Sequence, residues 1–155
     1  MKKEEKILLT PEGFLALEEE LADLKENQRP KVIVAIKEAR ALGDLSENAE
    51  YDTAKNEQAR IEARIKELQY RIEHSIVMEG SKNSVSVGST VVIEYVDDNE
   101  EETYKIVGSL EADPFENKIS NESPIGKAIF GHHVGEIVDV ESPNGSYKIE
   151  IKKIA

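Results

Sequence analysis

The chain contains no cysteine and no tryptophan. Without thiols, neither disulfides nor thiolate metal sites are possible. Aromatic residues make up 5% of the sequence, with only 3 Phe, which argues against a pocket lined by aromatic rings such as a prolyl isomerase needs. Long apolar runs are missing too. In "MKKEEKILLTPEG" the apolar stretch stops after Ile7, Leu8 and Leu9, too short for a signal peptide or a membrane span. A cytoplasmic protein with no membrane partner is therefore expected. Basic side chains are outnumbered, 20 Lys and Arg against 32 Asp and Glu, for a net charge of −12. Proteins that wrap nucleic acid neutralise phosphates with Lys and Arg, so any nucleic-acid contact here is expected to be local. Ser-His-Asp order, a Gly-rich phosphate loop and a Walker motif are all absent, and no self-contained active site is indicated.

What is present divides in two. Residues 1–78 are rich in Glu, Lys, Ala, Leu and Arg, whereas from residue 81 the chain turns to Ser, Val, Gly, Thr and Ile. The first part carries 13 basic and 17 acidic side chains and residues 79–155 carry 7 and 15, so the second is the more acidic. Two domains are expected, 1–78 and 79–155, in an α+β chain.

The first domain reads as an antiparallel coiled-coil hairpin. "TPEG" at 10–13 is a helix start, with Thr10 as cap, Pro11 in the first turn and Glu12 at the positive end of the dipole. Phe14, Leu17, Leu21 and Leu24 follow at helical spacing, and after Pro30 the pattern resumes at Val32, Ile36 and Ala39. The proline predicts a kink near residues 27–30. Beyond the turn, Tyr51, Ala54, Gln58, Ile61, Ile65, Leu68 and Ile72 form a sustained heptad seam. Folding the two helices together pairs Leu17 with Ile72, Leu21 with Leu68, Leu24 with Ile65, Ile36 with Ala54 and Ala39 with Tyr51, numbers that sum to 89 or 90. An α-helix from Pro11 to Leu42 would be about 45–50 Å long.

The second domain reads as a small, mostly antiparallel sheet with one short helix. Strands are expected at 90–96, 102–110, 136–142 and 146–154, the last two joined by a tight turn at Asn144-Gly145. "SPIGKAIFG" at 123–131 is the helix, capped by Ser123 with Pro124 in its first turn.

The turn between the long helices is the candidate site. "LGDLSENAEYD" at 42–52 holds Asp44, Glu47, Glu50 and Asp52 together with Leu42 and Leu45. One reading is that Asp44, Glu47 and Glu50, with Ser46, cap the second helix and complement its dipole. Four carboxylates in nine residues exceed what a helix start uses, because repulsion grows while the dipole benefit fades within a turn. Asp44 and Glu47 are spaced to converge on one hard cation. Mg2+ suits them, since it is commonly bound by one or two carboxylates plus phosphate oxygens and water. Such a pair binds weakly alone and matters where another site supplies the remaining ligands. Leu45 has no seam to enter and is expected to be exposed. Arg60, Arg64 and Arg71 share a face and read as partners of first-helix acids such as Glu18, whereas Lys37, Arg40 and Lys55 lie nearer the turn, within reach of a phosphate. His132 and His133 are expected in a solvated loop.

The segments "RPKV" (29–32), "IKEARALGDLSENAEYDTAKNEQ" (36–58) and "SNESPIGKAIFG" (120–131) resemble the GreA/GreB family of bacterial transcript-cleavage factors. The resemblance covers nearly the whole chain. It implies an FKBP-like second domain that docks on bacterial RNA polymerase at its secondary channel, and a coiled coil that reaches the catalytic centre. Two turn acids, here Asp44 and Glu47, would help hold the second Mg2+ while a backtracked polymerase cleaves its own RNA 3′ end. Leu42, Gly43, Leu45, Asn48, Glu50 and Tyr51 match the surrounding motif, Arg40 and Lys55 the basic residues near the RNA, and Ser123 and Pro124 the polymerase-docking segment. The protein would be an activator and not itself an enzyme, acting as a monomer on RNA polymerase and the nascent RNA 3′ end. Two alternatives stay open: a channel-binding polymerase inhibitor with the same hairpin, and a coiled-coil chaperone or scaffold that grips partners through apolar turn residues such as Leu45.

Overall fold

The computed structural model describes residues 6–43 and 48–155. It is an α+β chain with a helical hairpin in its N-terminal region and a strand sheet in its C-terminal region. Packing divides it into one compact unit of residues 15–74 and a second that unites the chain start through residue 14 with residues 75–155. The composition shift lies at 78/79, whereas the packing grouping follows a pairing that composition does not show. Strand β1 (Ile7–Leu9) pairs in parallel with β2 (Ser75–Val77), Ile7 opposite Ser75 and Leu9 opposite Val77. Each is three residues long, and only a partner far away in sequence makes it a strand.

In the helical unit, α1 (Pro11–Asp23) runs into a π-helical stretch at Leu24–Gln28 and then into α2 (Arg29–Ala41), which packs against α3 (Ala49–Glu73). Where a kink is expected, near residues 27–30, the chain has a π-helical stretch, with the Arg29 N–H donating to the Leu24 carbonyl five residues back. Gln28 and Arg29 keep right-handed helical dihedrals, so the chain meets the missing N–H of proline by changing hydrogen-bond register and not by leaving the helix. This stretch also accounts for the step in the seam. An i→i+5 turn uses one residue more than an α turn, and the expected pairings sum to 89 through Leu24 and to 90 from Ile36 onward.

Leu24, Val32, Ile61, Ile65 and Leu68 form the buried core of the hairpin, with Leu17 and Leu21 packed against it. Ile36, Ala39 and Ala54 continue the buried stripe toward the turn. Ion pairs flank it. Arg29 holds Glu62 through Nε at 2.8 Å and Nη2 at 2.9 Å, and Arg64 grips both oxygens of Glu20 at 2.8–3.2 Å. The first-helix partner of Arg64 is therefore Glu20, not Glu18, while Arg60 and Arg71 pair within their own helix with Glu57 and Glu67.

The second unit contains a five-stranded sheet in the order β5-β4-β3-β7-β6. β3 (Thr90–Tyr95), β4 (Glu100–Val107), β6 (Ile137–Ser142) and β7 (Gly145–Ile154) are antiparallel neighbours near the expected positions, and α4 (Pro124–Ile129) is the short helix. The sheet departs from the expected strand set at β5 (Lys118–Ser120), which lies parallel to β4. The expected strand over 102–110 ends at Val107 because Gly108 meets another chain segment: a Cβ there would sit 1.8 Å from the Leu8 carbonyl oxygen. At the β6–β7 hairpin, Ser142 faces Gly145, so the turn residues are Pro143 and Asn144, one position earlier than expected. Proline's fixed φ suits that first corner, and Gly145 takes the φ of +124°. Val85, Val91, Ile93, Ile106, Ile129 and Ile149 lie in the core.

The start of α1 is held inside this unit by a residue about a hundred positions away. Glu111 accepts from the Thr10 N–H at 2.8 Å and from the Thr10 hydroxyl at 2.5 Å, while Thr10 Oγ1 accepts from the Gly13 N–H at 3.1 Å. Thr10 is thus the expected cap, itself capped by a distant carboxylate. Gly13 is needed for it, since a Cβ would stand 2.2 Å from the Glu111 carboxyl carbon.

Two outcomes follow for the hairpin. Leu68 is fully buried, so Leu68→Ala should cost about 2–5 kcal/mol in denaturant unfolding; a loss under ~1 kcal/mol would contradict this packing. The Arg29 and Arg60 guanidiniums hold the Glu62 and Glu57 carboxyls below their ordinary value of 4.5, and the Asn27 and Gln28 amides do the same to Asp23. A depressed folded-state value stabilises above the unfolded one and loses that contribution as pH falls. Thermal stability should therefore be level from pH 7 to about pH 5 and drop below about pH 4.5. An unchanged midpoint at pH 3 would contradict it.

Candidate functional site

The turn is bounded by the end of α2 and the start of α3. Asp44 and Glu47, the expected metal-directing pair, and Leu45 and Ser46 lie outside the described residues. The residues on both sides define the setting. α2 ends at Ala41 because its last turn tightens: Leu42 N–H donates to the Ala39 carbonyl and Gly43 N–H to that of Arg40, each at 3.2 Å. Gly43 then takes a φ of +100°, a backbone region that side chains with a Cβ resist. Leu42 is 65% exposed, in keeping with a side chain beyond the end of the seam.

The N-cap of α3 is Asn48. Its Oδ1 accepts from the Tyr51 N–H at 3.0 Å and its Nδ2 donates to the Ala39 carbonyl at 2.6 Å. Asn48 provides the capping acceptor, and Glu50 and Asp52 sit in the first turn, where they complement the dipole as expected of Glu50; Asp44, Ser46 and Glu47 lie outside the described residues. An Asn immediately before the heptad pattern is a preferred cap type, a signal that the density of acids overshadows.

Of the expected basic residues, Arg40 places its guanidinium carbon 5.8 Å from the centroid of the Tyr51 ring, a cation–π contact between the helices that sequence reasoning missed. Lys55 is exposed and its Nζ lies 3.2 Å from Gln58 Oε1. Below the turn, Val32, Ala35, Ala54 and Ile61 line a groove of about 540 Å³ between α2 and α3, bordered by Lys31 and Glu57.

In the second unit, Ser123 and Pro124 open α4. The Ser123 hydroxyl accepts from the Gly126 N–H at 3.1 Å and donates to the Ser120 carbonyl at 2.6 Å, so it is engaged in shaping the helix start; Pro124 is exposed. His132 and His133 face Glu136, whose Oε2 lies 3.1 Å from His132 Nδ1 and accepts the His133 backbone N–H. Hydrogen bonding from that N–H holds the Glu136 carboxyl below its ordinary range. Among the described residues no cluster of three or more His, Asp or Glu is placed to hold a metal ion, and no helix is long and apolar enough to cross a membrane.

Gly43 offers a direct check on the turn. Gly43→Ala should destabilise the hairpin by about 1–2 kcal/mol through backbone strain, because nothing among the described residues stands where its Cβ would go. A neutral or stabilising effect in thermal unfolding would contradict the positive φ.

Comparisons with known proteins agree over the full length. The family model described as GreA_GreB_N, transcription elongation factor, N-terminal, matches residues 7–77, and that described as the GreA/GreB transcription elongation factor C-terminal domain matches residues 80–155. Transcription elongation factor GreA of Macrococcus caseolyticus is 50% identical over the whole of both chains. GreA of Thermoanaerobacter pseudethanolicus is 52% identical, with 96% of each chain covered. Among solved structures, the GreA factor homolog 1 (Gfh1) protein of Thermus thermophilus is 29% identical, over 97% of this chain and 99% of that one, with a TM-score of 0.45. With both halves matched in order and full-length relatives at half identity, the chain belongs to the GreA/GreB family of transcription elongation factors.

Proposed function

We propose that this protein binds bacterial RNA polymerase through the secondary channel and stimulates the polymerase's own cleavage of the RNA 3′ end in backtracked or arrested complexes. Asp44 and Glu47 are the residues that act at the polymerase catalytic centre in this reading. The observation that carries it is the turn sequence "LGDLSENAEY" mounted between two packed helices, in a chain whose family is that of elongation factors. Capping of α3 by Asn48 supports it further, because the Tyr51 N–H is met by an amide oxygen and not by a carboxylate.

The donor set fits Mg2+. Two carboxylates are hard oxygen ligands, and Mg2+ keeps several waters and is bound through one or two carboxylates plus phosphate oxygens. Two donors are too few for a resident site, which agrees with an ion shared with the polymerase. A second metal ion in such a centre stabilises the attacking or leaving oxygen of an in-line displacement. The contribution of this chain is then to supply oxygen ligands and orient water, as an activator rather than an enzyme. Arg40 and Lys55 lie near the RNA 3′ segment in this reading, with Arg40 steadied by Tyr51. The sheet domain, FKBP-like in this proposal, docks through the segment at Pro124, where the exposed ring and not the engaged Ser123 hydroxyl is the contact. The protein acts in the cytoplasm as a monomer.

Asp44→Ala and Glu47→Ala should each reduce stimulated transcript cleavage by at least about tenfold in stalled elongation complexes. Polymerase binding should stay within about twofold, since removing a metal ligand leaves the docking surface intact. Equal loss of binding and cleavage would move the role of the turn from chemistry to docking. Retained cleavage with loss on Leu45→Ala would favour the chaperone-like alternative.

A further inference from the structure

The two helices are joined across the turn by one amide side chain. Asn48 accepts from the Tyr51 N–H on α3 and donates to the Ala39 carbonyl on α2. Its orientation is settled by its partners, since a backbone N–H requires the amide oxygen and a carbonyl requires the nitrogen. Among preferred N-cap residues, ionised Asp accepts only, and Ser and Thr have a single hydroxyl; Asn alone offers a separate donor and acceptor. Ala39 is 3% exposed and Asn48 half-buried, so the bond to the Ala39 carbonyl is sheltered from competing water. Four residues separate Gly43 from Asn48, and two of them are Asp44 and Glu47.

We propose that Asn48 is a positioning residue for cleavage: by tying the end of α2 to the first turn of α3, it fixes the ends of the segment that carries Asp44 and Glu47. This rests on the function proposed above. Mg2+ tolerates little departure from octahedral geometry, and ligands presented from anchored ends bind it without first being ordered. The Arg40–Tyr51 contact spans the same gap and restricts it from the side. Asn48 touches neither metal nor RNA in this account and acts through the carboxylates.

Full-length Asn48→Ser and Asn48→Asp separate this role from capping. Both keep an acceptor for the Tyr51 N–H; Asp offers no donor to Ala39, and Ser, without adding charge, replaces the amide nitrogen that reaches Ala39 by a shorter hydroxyl already engaged with Tyr51. In stalled elongation complexes titrated with Mg2+, both should match the unsubstituted protein in helix content and bind polymerase within about twofold. The Mg2+ concentration for half-maximal cleavage should rise about tenfold, the scale seen when a group orienting a metal ligand is removed. High Mg2+ should restore the rate. A purely structural role would lower helix content or binding and leave the Mg2+ dependence in place. An unchanged Mg2+ dependence in both variants, or binding lost in step with cleavage, overturns the proposal. Asp44→Ala run alongside distinguishes the failures: if it is inactive while Asn48→Ser behaves as unsubstituted protein, only the role of Asn48 falls, whereas full activity of Asp44→Ala takes down both readings.

Discussion

The apolar seam between α2 and α3 is the interaction on which the hairpin depends. Most helical stability in a protein comes from packing an apolar face rather than from propensity, and α3 exposes most of its surface. Leu24, Val32, Ile61, Ile65 and Leu68 remove enough apolar area from solvent to hold the pair together. The flanking pairs Arg29–Glu62 and Arg64–Glu20 are partly exposed and contribute modestly to stability. Their bidentate geometry serves better to set which residues face each other. The π-helical stretch at Leu24–Gln28 belongs to the same constraint, because it lets Pro30 stay within a helix whose apolar face keeps meeting α3 on both sides of it.

A seam of this kind leaves its end as the demanding part. There the last carbonyls of α2 and the first N–H groups of α3 lose their helical partners, and the chain must reverse within a few residues. Three devices meet those demands: the tightened turn ending in Gly43, the two-sided Asn48 amide, and the Arg40–Tyr51 contact. None of the three uses a carboxylate. In a chain with 32 acidic residues, acids near a helix start are unremarkable one by one. In the proposed activity Asp44 and Glu47 serve as metal ligands.

The base of α1 repeats the principle at longer range. A lone Thr cap would satisfy the Gly13 N–H, and Glu111 adds a charged acceptor for the Thr10 N–H and hydroxyl. Thr10 is almost wholly buried, so these bonds are formed away from water, where leaving a polar group unmet is costly. The close approaches at Gly13 and Gly108 follow from it and from the β1 strand, each leaving no room for a side chain.

Much of this was legible in the residues themselves. Helical spacing located α1, α2 and α3, alternation located β3, β4, β6 and β7, Thr10 and Ser123 announced their helix starts, and the turn motif pointed to the family. These are local signals, carried by neighbours within one element. Strands β1 and β2, the parallel β5, the π-helical answer to Pro30, the Glu111 cap and the Asn48 bridge were decided only by tertiary structure. Each depends on a partner outside its own element or on a seam that must stay in contact, and a three-residue strand or a single amide has no energetic preference of its own strong enough to mark it in the sequence.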